Sequence, residues 1–140
     1  MSKADGGLRA LFKKRLPSWQ WTAIESGVTS PGVPDAEYCT DRGVTGWVEF
    51  KAVTGWKPVI RPLQVAWIDR RARIGGRVFI AVRRRSTAGD DELWIVPGSC
   101  VKPLCDVGLK SPKLLGVCRM SGGPDAWHFD VVGEYLGRRS

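Results

Sequence analysis

Gly32-Val33-Pro34-Asp35, followed after a turn by Trp47-Val48-Glu49-Phe50-Lys51, is the stretch that decides how this chain folds. Side chains two apart on a strand point to the same face. The Glu49 carboxylate and the Lys51 ammonium therefore emerge side by side, with Trp47 on the same face to wall them, while Val48 and Phe50 point into the opposite layer. Asp35 and Glu49 on neighbouring strands would make a hard oxygen site of the kind Mg²⁺ accepts, completed by waters and phosphate oxygens. Pro-Asp in a turn is common, and Glu-x-Lys on a strand is often a solvated pair. What sets this stretch apart is both halves in this order, with Gly32 ahead of the first and an apolar strand around the second.

Working outward, Leu8 to Leu16 places Leu8, Leu11, Phe12 and Leu16 at helical spacing, with Lys13, Lys14 and Arg15 crowding the other side and Pro17 closing the helix. Trp19 to Ser26 reads as a strand apolar on both faces, as expected of one covered on each side. Glu25 falls at its end, and a Gly/Ser/Pro-rich turn then delivers the chain to Asp35. Pro34 to Thr40 is the next strand, with Glu37 on the face of Asp35 as a supporting group or a solvated residue. Asp41 to Gly46 is a hairpin-like turn, and Trp47 to Val53 completes an antiparallel meander.

After the loop Thr54 to Ile60, where Trp56 and Lys57 are free to face substrate, the clearest helix opens at Arg61-Pro62-Leu63-Gln64. Proline suits a first helical turn, and Gly75-Gly76 supplies the stop. Leu63, Trp67, Arg70 and Ile74 line one face, with Ala66 beside them, and Gln64, Ile68 and Arg71 line another. Arg77 to Arg84 and Glu92 to Val96 read as core strands. In the C-terminal part, Ser99 to Val107 reads as a short helix and Leu114 to Met120 as extended. Asp125 to Leu136 reads as a closing helix that buries Trp127, Phe129, Val131 and Tyr135.

The chain has 140 residues, room for one domain with a modest core. Its 43% hydrophobic and 26% charged residues are those of a folded protein. A formal net charge of +8 suits nucleic acid, although a merely basic surface explains it as well. No apolar run is long enough to span a bilayer, and Met1 to Gly7 does not lead into a signal-peptide core; a cytoplasmic protein is expected. Cys39, Cys100, Cys105 and Cys118 lack paired zinc spacing and are expected as free, buried thiols. One histidine, His128, and no nucleophile motif make a hydrolase triad improbable.

At Pro34-Asp35 and Glu49-Phe50-Lys51 the sequence resembles the PD-(D/E)XK nuclease superfamily, and Gln64 and the Gly75-Gly76-Arg77-Val78-Phe79-Ile80 return extend the resemblance over roughly Ile24 to Val96. It is most similar to small phage and prophage nucleases of the VRR-NUC and Holliday-junction-resolvase branches. The resemblance implies an α/β fold: a restriction-endonuclease-like mixed sheet flanked by helices, with core order αβββαβ over about 8–96 and a C-terminal extension over about 97–140. It implies Asp35 and Glu49 as metal ligands with the Phe50 carbonyl as a third, Mg²⁺ (or Mn²⁺) as cofactor, and Lys51 as the group that positions or activates water. Gln64 would line the site, and Glu25 would be the additional upstream acid, or else an exposed turn carboxylate.

Arg61, Lys57, Arg70, Arg71, Arg83 and Arg84 are then candidates for phosphate contact. The expected activity is metal-dependent endonucleolytic cleavage of DNA. With no base-reading module in sight, it would be selective for structure, such as junctions, branches or flaps. The competing reading is a non-catalytic nucleic-acid-binding protein on the same fold. A single small active site makes a homodimer a reasonable expectation.

Overall fold

The computed structural model describes residues 4–24 and 31–138. Glu25 lies outside the described residues. The order is α1 (Leu8–Arg15), β1 (Gln20–Ala23), β2 (Ala36–Cys39), β3 (Thr45–Val53), α2 (Pro62–Arg73), β4 (Val78–Arg85), β5 (Asp91–Pro97), α3 (Val101–Asp106), β6 (Cys118–Met120) and α4 (Phe129–Gly137), with single 3₁₀ turns ahead of α3 and α4. The strands form one open mixed sheet in sequence order, β1 to β6. All neighbours are antiparallel except β3 and β4, which run parallel with Glu49 opposite Ile80 and Lys51 opposite Val82. A parallel pair needs a crossover, and α2 provides it.

Helices cover both faces. On one, Leu8 and Phe12 of α1 and Phe129, Val132 and Leu136 of α4 pack on Val48, Phe50, Ala81, Leu93 and Ile95. On the other, Ile68 of α2 and Val101 and Leu104 of α3 pack on Val78, Ile80, Val82 and Val96. Double coverage explains why β4 and β5 read as continuous apolar runs. It also explains why β1, at the sheet edge, shows the weakest pattern: only Trp21 of its four residues is half-buried.

Several expectations need correction. Of the two stripes of α2, that of Gln64 and Ile68 is buried, while Leu63 and Ile74 are 60% and 71% exposed. Val131 is exposed and Val132 is buried instead. The closing helix begins at Phe129, so its inward positions are Phe129, Val132 and Leu136, the i, i+3, i+7 series. Within the segment after residue 97, β6 extends the sheet and α4 joins the core cluster that also holds Phe50. Of the extended segment expected over Leu114 to Met120, Cys118–Met120 is the part that pairs as a strand. All four cysteines are free, but only Cys100 is buried.

A polar network sits inside the α2 face, beyond Val82. The Glu92 carboxylate accepts hydrogen bonds from Arg84 at 3.1 Å, from Trp94 Nε1 at 3.0 Å and from Arg119 at 2.8 Å. Arg84 also donates to the Gly55 carbonyl, and its guanidinium lies 3.5 Å from the centre of the Trp56 ring. Arg84 and Glu92 are 6% and 5% exposed. Removing one partner of such a buried pair strands the other. Glu92→Ala should therefore lower the unfolding free energy by about 3–5 kcal/mol, read from urea denaturation; a loss under 1 kcal/mol would show that the network contributes little.

Candidate functional site on the free edge of β3

β2 begins at Ala36, opposite Val48, whereas β3 runs on to Val53. Past Val48 the β2-side edge of β3 therefore has no strand partner. The Asp35 side chain takes its place, accepting the Phe50 N–H through Oδ2 at 2.9 Å. The N–H and C=O of one strand residue point to the same edge, so the Phe50 carbonyl also faces the Asp35 side. The bond is returned by the Asp35 N–H, which donates to Glu49 Oε1 at 3.1 Å.

Glu49 is 2% exposed. Its Oε2 accepts from Gln64 Nε2 at 2.6 Å and lies 3.2 Å from Lys51 Nζ. Gln64 Oε1 in turn accepts from Lys51 Nζ at 3.1 Å and from the Arg61 N–H at 3.1 Å. The amide thus caps the first turn of α2, an orphan donor of any helix start, and locks the acid and the ammonium to each other. Burial, with the Asp35 charge next, pushes the Glu49 carboxyl above the ordinary glutamate range; Lys51 pulls it back only in part.

These groups floor an open cleft of about 440 Å³. Gly32 explains how the Pro34-Asp35 turn reaches it. Its φ is +86°, and a Cβ there would lie 2.3 Å from the Leu63 carbonyl oxygen, so the turn lies directly on the start of α2. No other residue type offers both that backbone conformation and that approach.

The donor set fits a hard divalent cation. Asp35 Oδ1 accepts no hydrogen bond among the described residues. Glu49 Oε1 has one further lone pair, and the Phe50 carbonyl faces the same edge. Among the described residues no group of three or more His, Cys, Asp or Glu is placed to hold a metal ion by itself. Two carboxylates, with the balance made up by carbonyl, water and phosphate oxygens, is a Mg²⁺-type set rather than a closed protein cage.

The structure brings together Asp35, Glu49, Phe50, Lys51, Gln64 and Arg61. The other expected phosphate contacts lie elsewhere. Arg84 is buried in the Glu92 network. Arg83 is held by Asp91 and by the Gly6 carbonyl, tying the entry to α1 onto the sheet. Arg71 stacks on Trp67 and Trp47, which is why Trp47 supports α2 rather than walling the cleft. Arg70 lines a groove between α2 and α3, and exposed Lys57 lines a shallow one beside α3. The Trp56 ring is in contact with both the Arg84 guanidinium and the Lys110 ammonium. Glu37 pairs with Trp47, and among the described residues it is not part of the cleft lining.

Two contributors escaped the sequence reading, Asp5 and Arg9 at the start of α1, which form the opposite wall. Asp5 accepts the Gly7 and Arg9 N–H groups at 2.9 and 3.2 Å. An acid just before an apolar helical run is the signal that marks such a start.

Two outcomes follow from this geometry. Gly32→Ala should cost about 1–3 kcal/mol in urea denaturation, because both strain and clash fall on backbone; an unchanged midpoint would mean the turn sits elsewhere. Because the folded Glu49 carboxyl is raised, native structure favours its protonated form, and its contribution to stability is lost as pH climbs through that raised value. Without divalent metal, the Tm of Glu49→Gln relative to wild type should therefore shift in favour of the variant as pH rises from about 4 to 8, measured by thermal denaturation against pH. A difference that stays constant across that range would contradict it. No family model, curated protein or solved structure matches this chain.

Proposed function

We propose that the protein is a metal-dependent endonuclease that hydrolyses phosphodiester bonds in DNA, on a restriction-endonuclease-like core. The observation that carries this reading is the single hydrogen-bonded set Asp35–Glu49–Lys51–Gln64 at the free edge of β3. The element order α1β1β2β3α2β4 matches the αβββαβ expectation. A surface that only binds a polyanion gains nothing from two acids at the centre of its cleft; they oppose binding unless a cation offsets them.

Asp35, Glu49 and the Phe50 carbonyl would hold the cation. When bound, it would supply an acidified water and charge stabilisation for in-line displacement at phosphorus. Lys51, whose ammonium lines the cleft beside Glu49, would orient that water or meet charge building on the phosphate. Gln64 fixes the distance between acid and ammonium. The substrate preference we propose is for DNA structure rather than base sequence, and a dyad-related pair of copies would place one site on each strand.

The test is cleavage of labelled four-way junction, flap, duplex and single-stranded DNA in Mg²⁺, Mn²⁺ or EDTA. Wild type should cut only with metal. Lys51→Ala should cut at least ~100-fold more slowly while binding DNA as tightly. Firm binding without metal-dependent cutting by wild type would overturn the catalytic reading and leave a nucleic-acid-binding protein.

A further inference from the structure

Arg9 and Arg61 stand on opposite walls of the cleft. Arg9 belongs to α1, on the face of the sheet where Phe12 meets Phe50. Arg61 is the N-cap of α2, on the face of Glu49 and Gln64. The edge of β3, with both carboxylates, passes between them. Both residues are exposed, and among the described residues neither guanidinium makes an ion pair, hydrogen bond or ring contact. That is unlike Arg83, Arg84 and Arg119, whose guanidinium groups are committed to Asp91 or Glu92.

Their backbones, by contrast, are fixed. Asp5 accepts the Arg9 N–H, and the Gly6 carbonyl just ahead is tied to Arg83 at 2.8 Å. The Arg61 N–H is held by Gln64. Two rigid bases carrying free guanidinium forks, one on each side of a metal-competent acid pair, match a strand whose charge recurs at every nucleotide. Guanidinium and phosphate pair in bidentate fashion, and each pair positions the backbone without reading sequence.

We propose that Arg9 and Arg61 clamp the phosphates on either side of the one being cut, so that the site acts within a strand rather than on a terminal ester. This rests on the nuclease reading for its chemistry, but the grip on DNA does not.

The clamp is tested by mapping the cut in a labelled oligonucleotide and replacing one flanking phosphate at a time with a neutral methylphosphonate. For wild type, each replacement should slow cleavage about tenfold, the scale of one charge-assisted hydrogen bond. Arg9→Ala should be slow on the natural strand yet indifferent to replacement on one flank, and Arg61→Ala to replacement on the other. Covalently closed circular DNA should be opened. Variants that cut like wild type, variants that keep the full penalty at both flanks, or trimming confined to strand ends would each overturn the clamp.

Binding to the same oligonucleotide in EDTA separates the clamp from the chemistry. Each variant should flatten the dependence of log affinity on log salt by about 0.7–0.9. If wild type cuts nothing, the nuclease reading fails and this slope alone decides: flattened, the grip stands; unchanged, it falls.

Discussion

Beyond Val48, β3 outruns its neighbour, and the Phe50 N–H that a continuing strand would have taken is taken by the Asp35 carboxylate. An unpaired backbone donor at a half-buried edge is costly, so the sheet itself recruits an acid to this place. Once Asp35 is fixed there, its own N–H holds Glu49. Glu49 then needs Lys51 and Gln64 because it is buried. The site is less an addition to the fold than the way the fold closes an interrupted ladder.

Lys51 and Gln64 satisfy Glu49 only partly, for Asp35 stands beside it and its carboxyl remains raised. Two acids crowded at the floor of one cleft, with Lys51 the one cation paired to them among the described residues, leave a local demand for positive charge. Elsewhere the chain handles buried charge differently. Glu92 is surrounded by three donors, two of them cationic, and nothing about that arrangement invites a further ion. These two buried glutamates, one fully compensated and one not, are of the two kinds that distinguish a structural network from a candidate functional site.

Much of this was legible in the sequence. Strand periodicity put Glu49 and Lys51 on one face and Val48 and Phe50 on the other, and proline and glycine marked both ends of α2. The buried stripe of α2 was ambiguous, because Gln64 looks polar and Leu63 apolar. Only the tertiary demand of Glu49 for a donor turns Gln64 inward. Arg83 and Arg84 looked like surface cations because their partners, Asp91 and Glu92, lie across a hairpin that composition does not pair. Asp5 and Arg9 were missed because nothing local connects the start of α1 to β3; the connection runs through the Gly6 carbonyl and Arg83, far along the chain.

The contacts that build the cleft floor span only 13 to 15 residues of sequence each. Closing loops of that length costs little chain entropy and happens early relative to distant pairings. Behind Phe50 the first cover is Phe12 of α1, which precedes β3 in the chain, and Phe129 of α4 packs on Phe12 in turn. During synthesis the groups of the cleft floor can therefore meet on a strand whose apolar back already has one helix to rest on. The α4 segment, made later, adds the second layer to a cluster whose local contacts are already in reach.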